Sequence, residues 1–104
     1  MKNGKYEYNI KFNSQLGLKI GKCTCLINEN EAVGFLHIFG KSNKFTGNVS
    51  DDGTFTIYGT VTTLVRNFDF VSAGKINEDE IEFEIIDGNN VFKLIGKKTE
   101  VIKE

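Results

Sequence analysis

Between Thr54 and Ile76 the chain alternates so strictly that a β-hairpin is almost the only structure open to it. Phe55, Ile57, Gly59, Val61 and Val65 share one parity, and Thr54, Thr56, Tyr58, Thr60 and Thr62 share the other. Successive side chains of a strand point to opposite faces. One face is therefore apolar. The other is a threonine ladder that suits water and keeps high strand propensity. Beyond Arg66-Asn67, Phe68, Phe70 and Ile76 share a parity with Ser72 and Gly74. A two-residue loop at Arg66-Asn67 pairs Val65 with Phe68, Val61 with Ser72, Gly59 with Gly74 and Ile57 with Ile76. That register brings the two apolar parities together, and a slip of one residue would turn one of them toward solvent. Asn67 suits the positive φ such a loop needs, whereas Arg66 does not.

The same alternation recurs along the chain. A first strand, about Lys5 to Phe12, sets Tyr6, Tyr8, Ile10 and Phe12 against Lys5, Glu7, Asn9 and Lys11. A second, about Leu16 to Ile27, changes parity midway. Leu18 and Ile20 are even, whereas Cys23, Cys25 and Ile27 are odd, so a bulge at Gly21-Lys22 is expected to reconcile them. Asn28-Glu29-Asn30-Glu31 is the next turn. The third strand, Ala32 to Phe39, is apolar on both faces, with Phe35, His37 and Phe39 on one and Leu36 and Ile38 on the other. Lys41-Ser42-Asn43 is read as its turn. A three-residue loop there points His37 inward opposite Gly47; a two-residue loop points it outward and puts Leu36 and Ile38 inside.

The fourth strand, Lys44 to Ser50, meets Asp51-Asp52-Gly53, a three-residue loop with Gly at the left-handed position. It pairs Val49 with Phe55, Gly47 with Ile57 and Phe45 with Gly59. After Asn77-Glu78-Asp79-Glu80, a seventh strand sets Ile81, Phe83 and Ile85 against Glu80, Glu82 and Glu84. Gly88-Asn89 is a two-residue hairpin signal. The eighth strand, about Asn90 to Lys98, then pairs Ile85 with Phe92, Phe83 with Leu94 and Ile81 with Gly96. A charged tail occupies about 99–104.

No helical periodicity appears. Proline is absent, 11 glycines are present, and the aromatics are nine Phe and three Tyr with no Trp. Proline is unwelcome inside ladders and glycine suits bends. The 104 residues form one domain, 1–104. The expected fold is all-β: an eight-stranded antiparallel up-and-down meander closed into a barrel, strand one meeting strand eight, which leaves no sheet edge to protect. Chained registers place Gly59 beside Gly74, flanked by Phe45 and Phe83, so these glycines read as curvature devices under aromatic rings.

The strand pattern and repeated glycines from about Lys5 to Lys98 resemble calycin-type barrels, avidin-like and lipocalin-like. The resemblance implies eight up-and-down strands around a cup that holds a small ligand. Gly4-Lys5-Tyr6 is only a loose echo of the Gly-x-Trp of lipocalins. Without tryptophan, no family binding residue carries over and biotin is not implied.

A formal net charge of −1 gives no electrostatic footprint for nucleic acid. Residues 1–50 carry seven Lys and three acids, and residues 51–104 carry six basic groups and eleven acids, as two complementary surfaces of one domain would. No signal-like segment and no membrane span is apparent, so a cytoplasmic protein is expected. Cys23 and Cys25 lie two apart on one face and read as free buried thiols. They lack the partners that a metal site needs. No cofactor is implied.

Toward the Arg66 and Gly88 turns, polar groups enter the inward parity. Thr63, Phe70, Ser72 and Asp87 therefore form a candidate ligand-binding rim, with His37 as a further candidate. No nucleophile–base pair, phosphate loop or paired carboxylates can be made out, so an enzyme is not expected. The leading expectation is a barrel that binds a small apolar molecule against Phe70, oriented by Thr63, Ser72 or Asp87. The alternative is a structural or protein-interaction module with a side-chain-filled interior, and cavity volume separates the two. Because strand three is apolar on both faces, a homodimer through the segment around Phe35–Phe39 is expected as well.

Overall fold

The computed structural model describes residues 2–14, 17–62, 67–87 and 90–99. The strands are β1 (Gly4–Ser14), β2 (Gly17–Asn28), β3 (Glu31–Ile38), β4 (Lys41–Val49), β5 (Thr54–Thr62), β6 (Asn67–Ile76), β7 (Glu80–Asp87) and β8 (Asn90–Lys98). They form one closed antiparallel barrel in which each strand pairs with the next and β8 returns to β1. The expected fold is the observed one. Even-numbered residues of β1, β3, β6 and β8 and odd-numbered residues of β2, β4, β5 and β7 point inward, as alternation requires.

Three local expectations are corrected. The bulge at Gly21-Lys22 is absent, because the β1–β2 ladder runs unbroken from Gly4↔Ile27 to Ser14↔Gly17. Leu18 and Ile20 therefore face outward and are 63% and 75% exposed. The β2–β3 ladder reaches only to Lys22↔His37. The β1–β2 hairpin thus projects past β3, where no interior demands an apolar side chain.

The turn after β3 is Phe39-Gly40, not Lys41-Ser42-Asn43. Both turn residues have left-handed φ, 55° and 71°, as a two-residue hairpin loop needs. Phenylalanine rarely adopts that conformation. Here its ring packs on Phe12 at 5.5 Å.

The β5–β6 register differs by four residues. Gly59 lies opposite Phe70 and Phe55 opposite Gly74, the last rung is Thr62↔Asn67, and the two glycines are not neighbours. Both registers keep the same parity inward, so alternation could not choose between them. Ring packing does. A Cβ on Gly59 would lie 2.9 Å from the Phe70 ring, and one on Gly74 would lie 2.7 Å from Cβ of Phe83. Gly59 makes room for the Phe70 ring across β5–β6, a fit the expected register lacks, whereas Gly74 faces Phe83 on β7 in either register, as expected. The β4–β5 and β7–β8 registers agree with those expected.

Among the described residues the interior is packed with side chains. Phe45, Phe55 and Phe83 meet edge to face, with centroids 6.2 and 6.3 Å apart. Tyr8, Ile10, Leu36, Ile57, Ile81 and Leu94 belong with them to a single larger buried cluster. Each such side chain contributes roughly 1.5–3 kcal/mol by leaving water. Two ladders are short: β6–β7 has three rungs, Gly74↔Phe83 to Ile76↔Ile81, and β1–β8 has four, Tyr8↔Lys98 to Lys11↔Ile95.

Candidate functional site

The end of the barrel that holds the Phe39-Gly40 turn, toward which the Arg66 and Gly88 turns were expected, was the expected mouth. Phe12 on β1 brings its ring to Phe39 of the turn and Phe92 of β8, whose rings also meet each other at 6.4 Å. Ile38, Val61, Phe68, Ile85 and Leu94 surround them, and the apolar space they line has no room for a water molecule. Phe39, Phe68 and Phe92 are half-buried. The mouth is thus an aromatic plug.

Phe70 and Ser72 do point inward and both are buried. Phe70 is used in packing over Gly59. The Ser72 hydroxyl donates to the Glu84 carbonyl, just beyond the last β6–β7 rung. It ties the two strands where backbone pairing has stopped, so its proton is committed within the wall. Thr63 lies outside the described residues. Asp87 lies at the end of β7 opposite Asn90, and its side chain lies outside the described part. His37 is on the outer face, exposed, with Nδ1 2.9 Å from the Ser42 hydroxyl and its ring stacked on Phe35. The two-residue turn decides this, and His37 takes no part in the interior.

One inward residue of this end was missed. Asn43 is buried on β4. Its Nδ2 donates to the carbonyls of Leu36 at 3.0 Å and Lys41 at 3.2 Å, and its Oδ1 accepts the Thr62 N–H at 2.9 Å. A buried amide so satisfied is structural rather than free for a ligand. Its signal was a lone polar residue on the parity of Phe45, Gly47 and Val49.

At the opposite end, buried Tyr8 donates its hydroxyl to the Asn77 carbonyl at 2.6 Å. Cys23 and Cys25 lie beside it, both free and buried. Burial pushes the Cys25 thiol up to about 12. Burial, then the neighbouring Cys25, raises Cys23 further, and burial also raises Tyr8. Both thiols are thus held in the neutral form near neutral pH, which weakens either as a nucleophile. Among the described residues no group of three or more His, Cys, Asp or Glu could hold a metal ion.

The outer face carries one long row. Leu26 opposes Val33, Val33 opposes Thr46, Thr46 opposes Tyr58 and Tyr58 opposes Val71. Phe35 stands beside it, 42% exposed. On β7, Glu80, Glu82 and Glu84 face Lys97, Lys75 and Lys93 across the ladders, so the acidic strand is balanced locally.

Comparison of the chain with family models, with curated proteins and with solved structures returned no match. The class defined by fold and site is an eight-stranded up-and-down barrel with a packed interior.

Proposed function

We propose that the protein is a non-catalytic interaction module whose outer surface binds partners and whose filled interior holds that surface rigid. The observation that carries this reading is the aromatic plug. Phe12, Phe39 and Phe92 interlock at the mouth, and the space among them and their neighbours admits no water. Ligand pockets are typically clefts of a few hundred Å3 with polar groups turned inward. Here Ser72 and Asn43 spend their hydrogen bonds on backbone. In this reading a second copy docks on the outer side of β3, where Phe35, Val33 and Leu26 are exposed together.

The calycin-like strand order supports a second reading, in which a small apolar ligand enters by displacing Phe92. The half-buried rings of Phe39, Phe68 and Phe92 favour it. Native mass spectrometry of freshly purified protein, with thermal shifts across a lipophilic library, decides between the two. The module reading expects no retained molecule and no shift. A retained lipophile that is lost on Phe70→Ala substitution overturns it.

A further inference from the structure

We propose that the outer face of β8, β1 and β2 docks on an anionic phospholipid bilayer, with its lysines at the headgroups and the aliphatic side chains of the β1–β2 hairpin pressed between them. The registers lay this face out row by row. Lys11 of β1 lies between Ile20 of β2 and Ile95 of β8, and Asn9 lies between Lys22 and Lys97. Asn13 lies opposite Leu18. Lys93 shares the outward parity of Ile95 and Lys97, and all of these side chains are exposed. The face is a mosaic of lysine, aliphatic and amide side chains without an acid.

Among the described residues the ion pair formed is Lys5 with Glu7 at 3.4 Å, so no lysine of the mosaic is neutralised by contact. Lys97 and Lys93 stand opposite Glu80 and Glu84, and the acids of β7 bound the face on that side. Lys11 and Lys22 have no acid across their ladders: Lys11 meets the two isoleucines, and Lys22 meets Asn9 and His37. Lys44 opposite Phe35 carries the positive field on to β4. A bilayer therefore meets this face centred on β1, with β7 turned away from it.

A groove of about 490 Å3 crosses the mosaic between Lys11, Lys93 and Lys97, with Phe12, Leu18 and Ile95 along its walls and no acidic side chain. Ammonium groups and the Asn9 and Asn13 amides around an apolar floor complement a phosphate headgroup above its acyl chains. Asn9 and Lys11 are paired on both sides, so the face offers side chains rather than a backbone edge. Ile20 and Leu18, 75% and 63% exposed, sit on the hairpin that runs past the last β2–β3 rung, Lys22↔His37. Aliphatic side chains standing out from a projecting hairpin fit a surface they can penetrate, and long lysine stems let the charge stay at the headgroups.

This docking goes beyond the interaction reading, since it needs neither a protein partner nor space in the interior. The chain has no tryptophan, so single-tryptophan variants report contact without background. Leu18→Trp, with Tyr58→Trp on β5 as the control across the barrel, is mixed with vesicles of equal parts phosphatidylserine and phosphatidylcholine, and with pure phosphatidylcholine. The Leu18→Trp emission is expected to move to the blue and to be quenched by brominated acyl chains in the anionic vesicles alone, while Tyr58→Trp does not respond. Flotation of the native chain with anionic vesicles is expected to weaken as salt rises. Each lysine near such a surface is worth about fivefold, so Lys11→Gln with Lys22→Gln is expected to lower partitioning at least tenfold. Ile20→Ser is expected to lower it severalfold, because an apolar side chain no longer leaves water. Unchanged thermal midpoints show that these exposed substitutions leave the fold intact.

Failure to bind the anionic vesicles, equal binding to pure phosphatidylcholine, or an unshifted Leu18→Trp spectrum overturns the proposal. So does partitioning that the paired lysine substitution leaves unchanged, since contact then lies elsewhere. Polyglutamate that binds the chain while anionic vesicles do not makes the face a site for an acidic protein and overturns it as well.

Discussion

Asn43 on β4 holds the end of β5: its Oδ1 accepts the Thr62 backbone N–H at 2.9 Å while its Nδ2 bridges carbonyls of Leu36 and Lys41. One buried amide therefore closes the Phe39-Gly40 hairpin and fastens the neighbouring strand β5 at Thr62.

Replacement of Asn43 by Ala strands these buried backbone groups. Each unsatisfied group costs about 1–3 kcal/mol. Asn43→Ala is expected to lower stability by about 2–4 kcal/mol, read as a lower urea midpoint at unchanged m. Loss of less than about 1 kcal/mol would show that water replaces the amide.

Gly59 and Phe70 form a matched pair across β5 and β6. A methyl on Gly59 meets both the Phe70 ring at 2.9 Å and the Lys44 carbonyl at 2.8 Å. Gly59→Ala is expected to destabilise by about 1–3 kcal/mol through overpacking. Phe70→Leu alone is destabilising too. Combined with Gly59→Ala, it is expected to cost less than the sum of the single changes, and strict additivity in the double-mutant cycle would refute the pairing.

The buried thiols give a pH dependence of definite sign. Burial raises Cys25 from 9.0 to about 12, and raises Cys23 as well. Both groups are neutral in the fold at pH values where the unfolded chain is already ionised. Their contribution to stability is therefore intact below pH 9 and is lost as pH climbs from 9 toward 12. Denaturation midpoints are expected to fall across that window, and to fall less in the Cys23→Ala/Cys25→Ala double variant. At pH 8 iodoacetamide is expected to leave both thiols intact in the native protein and to modify both in urea.

Phe35 tests the second-copy proposal. Sedimentation at micromolar concentration is expected to show a dimer for the native chain and a monomer for Phe35→Ser, with unchanged thermal stability of the isolated fold. A monomeric native chain removes the proposal.

The candidate rim shows how far alternation reaches. Phe70 and Ser72 were assigned inward and are inward, because a side chain's face depends only on whether its number is odd or even. What they do there was not legible: Ser72 bonds the Glu84 carbonyl only because the β6–β7 ladder ends beside it. His37 and Asn43 turned on the length of one loop, since Phe39 accepts a left-handed φ that its residue type disfavours.

Strand number, strand order and the division of most side chains into inner and outer sets follow from alternation, turn residues and the absence of proline; Leu18, Ile20, His37 and Asn43 are the exceptions. The tertiary structure alone decided the β5–β6 register and the aromatic packing of Phe12, Phe39 and Phe92. A shift of four residues leaves every side chain on its own face, so no local rule can detect it. Only the fit of Phe70 over Gly59, brought together from different strands, makes one register better than another.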